Sequence, residues 1–265
     1  MTTQESFWLD DQEFGEVYYA LVAKALDICP VSWRSNQGSS NSELHRFFQS
    51  VFGDNRSSEN LSNYNKQEFR NHLATREDDF PKKLSNWFNN VRKQYANPAV
   101  VPVNGDKIAL VWNRRKKEED GRNSTDHSLR QLVEVCKKKE YTPVLVGDGV
   151  CDSEKLGFNF DRTNFHKNYQ LNHIQQIAYL LHLIDGRPAF SIGLQSGGMD
   201  GLALFGGLPT IFLSKKDNAS NGMSALANRI PCVFRWVEIQ YAKRFDKFED
   251  EDLAEVKKCF ASLES

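Results

Sequence analysis

The chain has 265 residues, of which 40% are hydrophobic and 26% charged. These values are typical of a folded globular protein and exclude a disordered chain, a collagen-like chain and a disulfide scaffold. Basic and acidic residues are nearly balanced on both sides of Asn104, and the net charge is −1. A basic module that binds nucleic acid through its phosphates is therefore not expected.

The cysteine content and the N-terminal residues predict a cytoplasmic protein with reduced thiols. Five cysteines occur without any Cys-x-x-Cys spacing, which is too few for a stapled secreted domain. The first residues are polar and acidic and lack the basic-then-apolar order of a signal peptide. No apolar run approaches the roughly 20 residues that a membrane span needs, so no membrane span is expected.

Residues 1–104 are predicted to form a helical lobe. Apolar residues recur at three- and four-residue steps from Phe14 to Ile28, and Pro30 ends this pattern. Similar patterns predict helices at 42–52, 64–73 and 80–95, without strand-like runs between them. The many aromatic residues here either pack these helices together or line a ligand cleft.

Residues 105–265 have a different pattern, in which short apolar runs alternate with amphipathic helices. Strands are predicted at 107–112, 142–147, 189–194, 209–213 and 232–236, and helices at 125–139, 171–184, 199–205 and 253–263. This alternation is typical of an α/β protein with a doubly wound, mostly parallel sheet. Ligands of such sheets bind outside the carboxyl ends of the strands, where the strand order reverses.

The turn that follows the third predicted strand is the strongest candidate for a ligand site. Ser196, Gly197 and Gly198 lead from that strand into a short helix. The unpaired N–H groups and the dipole of a helix N-terminus favour an anion such as a diphosphate. Alternatively, the glycines only form a tight turn and allow close helix packing. Asp200 either stabilises the helix start or accepts hydrogen bonds from sugar hydroxyls.

This stretch resembles a known group of proteins. The strand, the Ser-Gly-Gly turn, the short helix and the following Gly-x-Pro-Thr-Ile-Phe-Leu are similar to the nucleotide-sugar-binding half of GT-B-fold glycosyltransferases and related epimerases. Trp112-Asn113-Arg114-Arg115 is similar to the arginine-bearing loop of the fucosyltransferase branch. The resemblance implies a nucleoside-diphosphate sugar on Ser196, Gly197, Gly198 and Asp200, with Arg114 or Arg115 on the diphosphate. It implies no further cofactor.

Charge and spacing leave alternatives for the basic loop and for the catalytic base. Arg114 and Arg115 begin a run of four positive charges, which is either a diphosphate clamp or a solvated loop. Asp148, just after the second predicted strand, and His166 are the candidates for a general base that activates an acceptor hydroxyl. Each of them has a purely structural alternative, since a strand-end carboxylate often caps the next turn.

Several enzyme classes lack their motifs. Ser196 is not in a Gly-x-Ser-x-Gly elbow, and the P-loop, the Gly-x-Gly-x-x-Gly and the His-Glu-x-x-His patterns are absent from the sequence. The prediction is thus a metal-independent, glycosyltransferase-like protein with an unknown acceptor. The alternative is a non-catalytic sensor or interaction protein that keeps the fold and binds a nucleotide or phosphate ligand without transferring anything.

Overall fold

The structure is a computed structural model of the chain. It describes residues 5–10, 16–28, 31–34, 51, 62–63, 66–94, 102–115, 123–149, 151–163, 173–184, 186–194, 196–215, 233–239, 248 and 250–263.

The N-terminal part contains helices and a small sheet. Helices α1 (Glu16–Ala25), α2 (Lys66–Thr75) and α3 (Phe80–Gln94) confirm three of the four predicted helices. Of the predicted helix at 42–52, only Val51 belongs to the described residues, and it is helical. Strands β1 (Glu5–Asp10), β2 (Val31–Arg34) and β3 (Ser62–Asn63) form a parallel sheet in the order β2-β1-β3.

The prediction that the first hundred residues lack strands is therefore wrong. The three strands are two to six residues long and pair with partners about 25 and 55 positions away. Strands this short carry little periodicity, and their pairing depends on contacts between distant parts of the chain.

The C-terminal part contains a six-stranded, fully parallel sheet, which confirms the doubly wound α/β prediction. Its strands are β4 (Ile108–Arg114), β5 (Thr142–Asp148), β6 (Phe160–Thr163), β7 (Ala189–Leu194), β8 (Thr210–Lys215) and β9 (Val233–Ile239). The strand order is β6-β5-β4-β7-β8-β9. Strand β6 was not predicted, because its sequence Phe-Asp-Arg-Thr lacks an apolar run.

The helices of this part pack on both faces of the sheet. They are α4 (Asp126–Lys138), α5 (His173–Leu183), α6 (Gly197–Gly206) and α7 (Asp250–Leu263). Side chains alternate along each strand: Leu110 and Trp112 belong to one hydrophobic cluster, and Ala109 and Val111 to the other. Helices α5 and α6 contribute to the first cluster, and α4 and α7 to the second.

The first cluster also includes side chains from the N-terminal helices. Tyr18 and Leu21 of α1 and Phe88 of α3 join Trp112 and the apolar face of α6 in it. The ring of Phe88 lies 5.6 Å from that of Phe205 of α6. Helix α6 is thus enclosed between the sheet and the N-terminal helices, which positions its first turn above the sheet. None of the described helices combines the length and the hydropathy needed to cross a membrane.

Candidate functional site

The strand order places a topological switch point at the centre of the large sheet, the position at which sheets of this kind form a crevice. From β4 the chain moves outward through β5 to β6, then returns to β7 on the other side of β4 and moves outward again. The carboxyl ends of β4 and β7 therefore lie at a topological switch point, where α/β proteins bind their ligands. Asn113 and Arg114 end β4, and Ser196 follows the end of β7 by two positions.

Ser196 is the N-cap residue of α6, but its side chain does not cap the helix. Its backbone is extended (φ −147°, ψ 155°), and its carbonyl accepts hydrogen bonds from the amides of Met199 and Asp200 at 3.1 and 3.2 Å. The hydroxyl makes no capping bond; it is buried and has no hydrogen-bond partner among the described residues. A buried hydroxyl without a partner is costly, so this oxygen is a group for which a ligand can provide the missing bond.

Gly198 lies against the indole ring of Trp112. A Cβ atom added to Gly198 would be 2.5 Å from Cη2 and Cζ3 of that ring. The indole itself is fixed, because its Nε1–H donates to the hydroxyl of Ser191 at 2.6 Å. Close helix packing, one of the two alternatives for the glycines, thus accounts for Gly198. Gly198 is buried whereas Gly197 is partly exposed, so a ligand has access to the turn on the side of Gly197.

Asp200 lies in the first turn of α6 and is only 6% exposed. Its neighbour Gly201 packs on the ring of Tyr18, where an added Cβ would be 2.5 Å from Cε1. The position of its carboxylate in the first turn stabilises the helix dipole. This agrees with the alternative that Asp200 stabilises the start of the helix. The same carboxylate adds a negative charge close to the proposed phosphate position.

Arg115 is turned toward the start of α4. Its guanidinium forms an ion pair with Asp126, the first residue of that helix, and the two side chains are 29% and 56% exposed. The aliphatic part of Arg115 lies against Gly149, whose added Cβ would be 2.6 Å from Cβ of Arg115. A partner for Arg115 is therefore already present within the protein, and a diphosphate would have to compete with Asp126.

Arg114 is held at the end of β4 through its backbone. Its N–H donates to the hydroxyl of Ser124 at 3.0 Å, and its carbonyl accepts from the amide of Ser124 at 2.7 Å. These two bonds close the loop between β4 and α4 at its base. Thr125 then caps α4 in a capping box with Ser128. The backbone of Arg114 is thereby fixed at the edge of the crevice.

The sequence analysis did not identify Asn113 as a candidate. It is 2% exposed, and its Nδ2 donates to the carbonyl of Gly149 at 3.3 Å and lies 3.6 Å from Sγ of Cys151. The Oδ1 atom has no hydrogen-bond partner among the residues that the structure describes. The sequence does contain a signal for this residue, because Asn113 is a polar residue that directly follows the apolar run Ile-Ala-Leu-Val-Trp of a buried strand.

Cys151 is partly buried beside Asn113. Burial raises the pKa of its thiol, and the nearby positive charge of Arg115 opposes this effect in part. The thiol is consequently neutral at pH 7 and is a weak nucleophile.

Asp148 and His166 are the two candidate bases from the sequence. Asp148 is the last residue of β5, paired in register with Arg114, but its side chain is not among those described. His166 lies outside the described residues. Within the described part of the chain, no group of three or more His, Cys, Asp or Glu residues is placed to hold a metal ion.

A separate opening of about 370 Å³ lies between α4 and α7. Charged side chains line its length, among them Arg130, Glu134 and Lys257. Glu134 and Lys257 lie well along α4 and α7, and α4 and α7 share the face of the sheet opposite α6. The opening is therefore distinct from the crevice at the switch point, and it carries no group that the sequence analysis singled out.

The chain was compared with family models, curated proteins and solved structures, and none of them matches it.

Proposed function

We propose that this chain binds a nucleoside-diphosphate sugar in the crevice between the carboxyl ends of β4 and β7, as a glycosyltransferase-like protein. The observation that carries the proposal is the hydroxyl of Ser196. It is buried at the start of α6, at the topological switch point, and forms no hydrogen bond with any described residue. A phosphate oxygen is a suitable acceptor for it.

The start of α6 offers further donors to a diphosphate. The amides of Met199 and Asp200 already donate to the Ser196 carbonyl, so helix geometry leaves the N–H groups of Gly197 and Gly198 for a ligand. The positive end of the helix dipole adds to the attraction for an anion. Arg114, anchored at the end of β4, is the candidate for an additional positive charge.

Variants of Ser196 provide a test that separates binding from folding. Ser196→Asp introduces a good N-cap residue, so it should preserve or raise the stability of the free protein. The same carboxylate would repel a diphosphate. Ser196→Ala removes only the hydroxyl, and Asn90→Asp on the exposed face of α3 adds the same charge at another position.

The measurement is the change in melting temperature with nucleoside diphosphates and their sugar conjugates. At a ligand concentration of 100 times Kd, binding stabilises the native state by about 2.7 kcal/mol. This corresponds to roughly 5–10 °C for a protein of this size. We expect this shift for wild type and Asn90→Asp, a smaller one for Ser196→Ala and none for Ser196→Asp. An equal shift in Ser196→Asp would overturn the site, and no shift in wild type would overturn the function.

The transfer step is a further part of the proposal. The acceptor oxygen bonds to the anomeric carbon while the bond from that carbon to the diphosphate oxygen breaks. The diphosphate leaves with the electron pair, and Asp148 or His166 takes the acceptor proton. The donors at the start of α6 stabilise the charge on the leaving group without a metal. Release of nucleoside diphosphate from a bound conjugate, and its loss in Asp148→Asn or His166→Gln, tests this step.

One observation favours the second candidate, a protein that binds the ligand without transferring a sugar. Arg115 is paired with Asp126, so part of the positive charge near the crevice is neutralised within the protein. A stabilising shift with a conjugate that is never consumed, even with added acceptor sugars, would support this candidate over the transferase.

A further inference from the structure

The side-chain amide of Asn113 lacks one hydrogen bond. Its Nδ2 donates to the Gly149 carbonyl, which fixes the orientation of the amide. The opposite atom, Oδ1, is then an acceptor without a donor among the described residues, in a side chain that is 2% exposed. Buried polar atoms of native proteins are nearly always paired, so Oδ1 is an acceptor to which a bound group can donate.

The chemistry of the missing group follows from the acceptor. The diphosphate of a nucleoside-diphosphate sugar is esterified at both ends, so at neutral pH it carries oxygen acceptors and no O–H donor and cannot satisfy Oδ1. A hydroxyl or an N–H group can. In a nucleotide, the hydroxyls nearest to the diphosphate are those of the ribose, and Asn113 lies on the strand next to the one that leads to Ser196.

A half-buried thiol borders the same position. Sγ of Cys151 lies 3.6 Å from Nδ2 of Asn113, and the aliphatic part of Arg115 covers the neighbouring Gly149. These groups form the β4–β5 side of the crevice, on the face of the sheet that α4 and α7 cover. Ser196 and Gly197 form its β7 side, at the start of α6 on the opposite face, so a nucleotide that contacts both sides crosses the carboxyl edge of the sheet. The two sides differ in chemistry, because the first offers a neutral acceptor and the second offers donors and a positive dipole.

Building on the proposed function, we infer that the crevice orients its nucleotide, with the diphosphate at Ser196 and a ribose hydroxyl donating to Oδ1 of Asn113 beside Cys151. The ribose then covers the thiol. Cys151 does not react with the ligand; it reports whether this subsite is occupied.

The first experiment is alkylation of the native protein with N-ethylmaleimide, followed by mass spectrometry of the cysteine peptides. The probes are adenosine, guanosine, uridine and cytidine diphosphates, with inorganic diphosphate as the ribose-free comparison. At ten times Kd, a bound nucleotide should slow alkylation of Cys151 about tenfold, because only the free fraction reacts. Inorganic diphosphate should leave the rate unchanged. Cys136 is fully buried and serves as the internal measure of folding.

The second experiment compares a nucleoside diphosphate with its 2′,3′-dideoxy analogue. Loss of one neutral hydrogen bond should weaken binding of the analogue to wild type by about 2–10-fold. In Asn113→Ala, both ligands should bind equally, since the acceptor is gone. Cys151→Ala keeps the acceptor and should retain the wild-type ratio. A ratio cannot be changed by a general loss of stability, so this readout separates recognition from folding.

The outcomes distinguish this inference from the proposed function. Nucleotides that raise the melting temperature but neither protect Cys151 nor discriminate against the dideoxy analogue would overturn the orientation and leave diphosphate binding intact. Absence of any nucleotide binding would overturn both. Protection of Cys151 by inorganic diphosphate would also contradict the inference, because it would place the phosphates on the β4–β5 side.

Discussion

The indole ring of Trp112 on β4 lies directly on Gly198 in the first turn of α6. Its outer carbons Cη2 and Cζ3 are 2.5 Å from the position that a Cβ of Gly198 would occupy. The ring is anchored by its hydrogen bond to Ser191 of β7. One side chain thus connects the two central strands with the start of the helix that follows the switch point, and it sets how closely α6 approaches the sheet.

Gly198→Ala should destabilise the protein. Helix propensity alone would favour alanine by about 1 kcal/mol. However, the added methyl group would overlap the indole ring, and overpacking of this kind costs about 1–3 kcal/mol. After the propensity gain is subtracted, we expect a net loss of up to about 2 kcal/mol in the free energy of unfolding, measured by urea denaturation.

A second substitution identifies the cause of that loss. Trp112→Phe removes the outer carbons of the ring, so Gly198→Ala should cost less in this background than in wild type. The coupling in such a double-mutant cycle should be about 0.5–3 kcal/mol. Equal effects of Gly198→Ala in the two backgrounds would contradict the packing argument.

Gln131 of α4 should anchor the segment before α7. Its side chain donates to the carbonyl of Phe248 at 2.8 Å and accepts from the amide of the same residue at 2.7 Å. Gln131→Met removes both bonds at a partly buried residue, with an expected cost of about 1–3 kcal/mol. The same substitution should raise the rate of amide hydrogen exchange in α7. Glu134→Met, at an exposed position on the same helix, is the control. Equal exchange rates in the two variants would contradict the claim that Gln131 anchors the segment before α7.

The buried thiol of Cys136 should make the protein less stable at high pH. Burial raises its pKa above the ordinary value of 9.0. Because the folded pKa is the higher one, this stabilising contribution is complete below the ordinary pKa and is lost as the pH rises toward the folded pKa. Above the ordinary pKa, the unfolding free energy of wild type should fall by about 1.4 kcal/mol per pH unit relative to Cys136→Ala. Parallel pH profiles from denaturant titrations would show that the thiol is not the source.

Asp126→Asn should strengthen nucleotide binding if Arg115 contacts the diphosphate. The substitution removes the carboxylate that now holds the guanidinium. A partly exposed ion pair contributes about 0.2–1 kcal/mol, which corresponds to an affinity gain of up to about fivefold. Titration calorimetry with the nucleotide found by the melting experiments would measure it. If the nucleotide affinity is unchanged in Asp126→Asn and is not reduced in Arg115→Ala, then Arg115 stabilises only the start of α4 and does not contact the diphosphate.

Part of the crevice could be predicted from local patterns. The apolar run that ends at Trp112 and the run before Ser196 are each long enough to identify a buried strand, and the order of strands and helices implies a parallel sheet. Because the carboxyl ends of parallel strands share one edge, the loop after β4 and the turn before α6 could be assigned to the same edge. The side-chain contacts within the loop and the turn could not be predicted from local patterns.

The missed features depend on contacts between residues that are distant in sequence. Asn113 has no motif around it, and its buried amide becomes notable only once Gly149 and Cys151 are seen beside it. The helix was predicted to start at residue 199, after a turn of Ser196, Gly197 and Gly198, whereas α6 begins at Gly197. Ser196 is its N-cap residue, yet the Ser196 hydroxyl does not cap the helix. Rotamers of this kind are chosen by the surrounding packing rather than by the local sequence.

The sequence by itself determined the doubly wound class, because alternating apolar runs and amphipathic helices can bury their apolar sides in few other ways. It also determined the start of α6 to within two residues, since a serine and two glycines mark that boundary. Only the tertiary structure decided that Gly198 is covered by Trp112, that Arg115 pairs with Asp126, and that Asn113 is buried with one acceptor left over. These relationships join strands and helices that the chain order separates, so no local pattern encodes them.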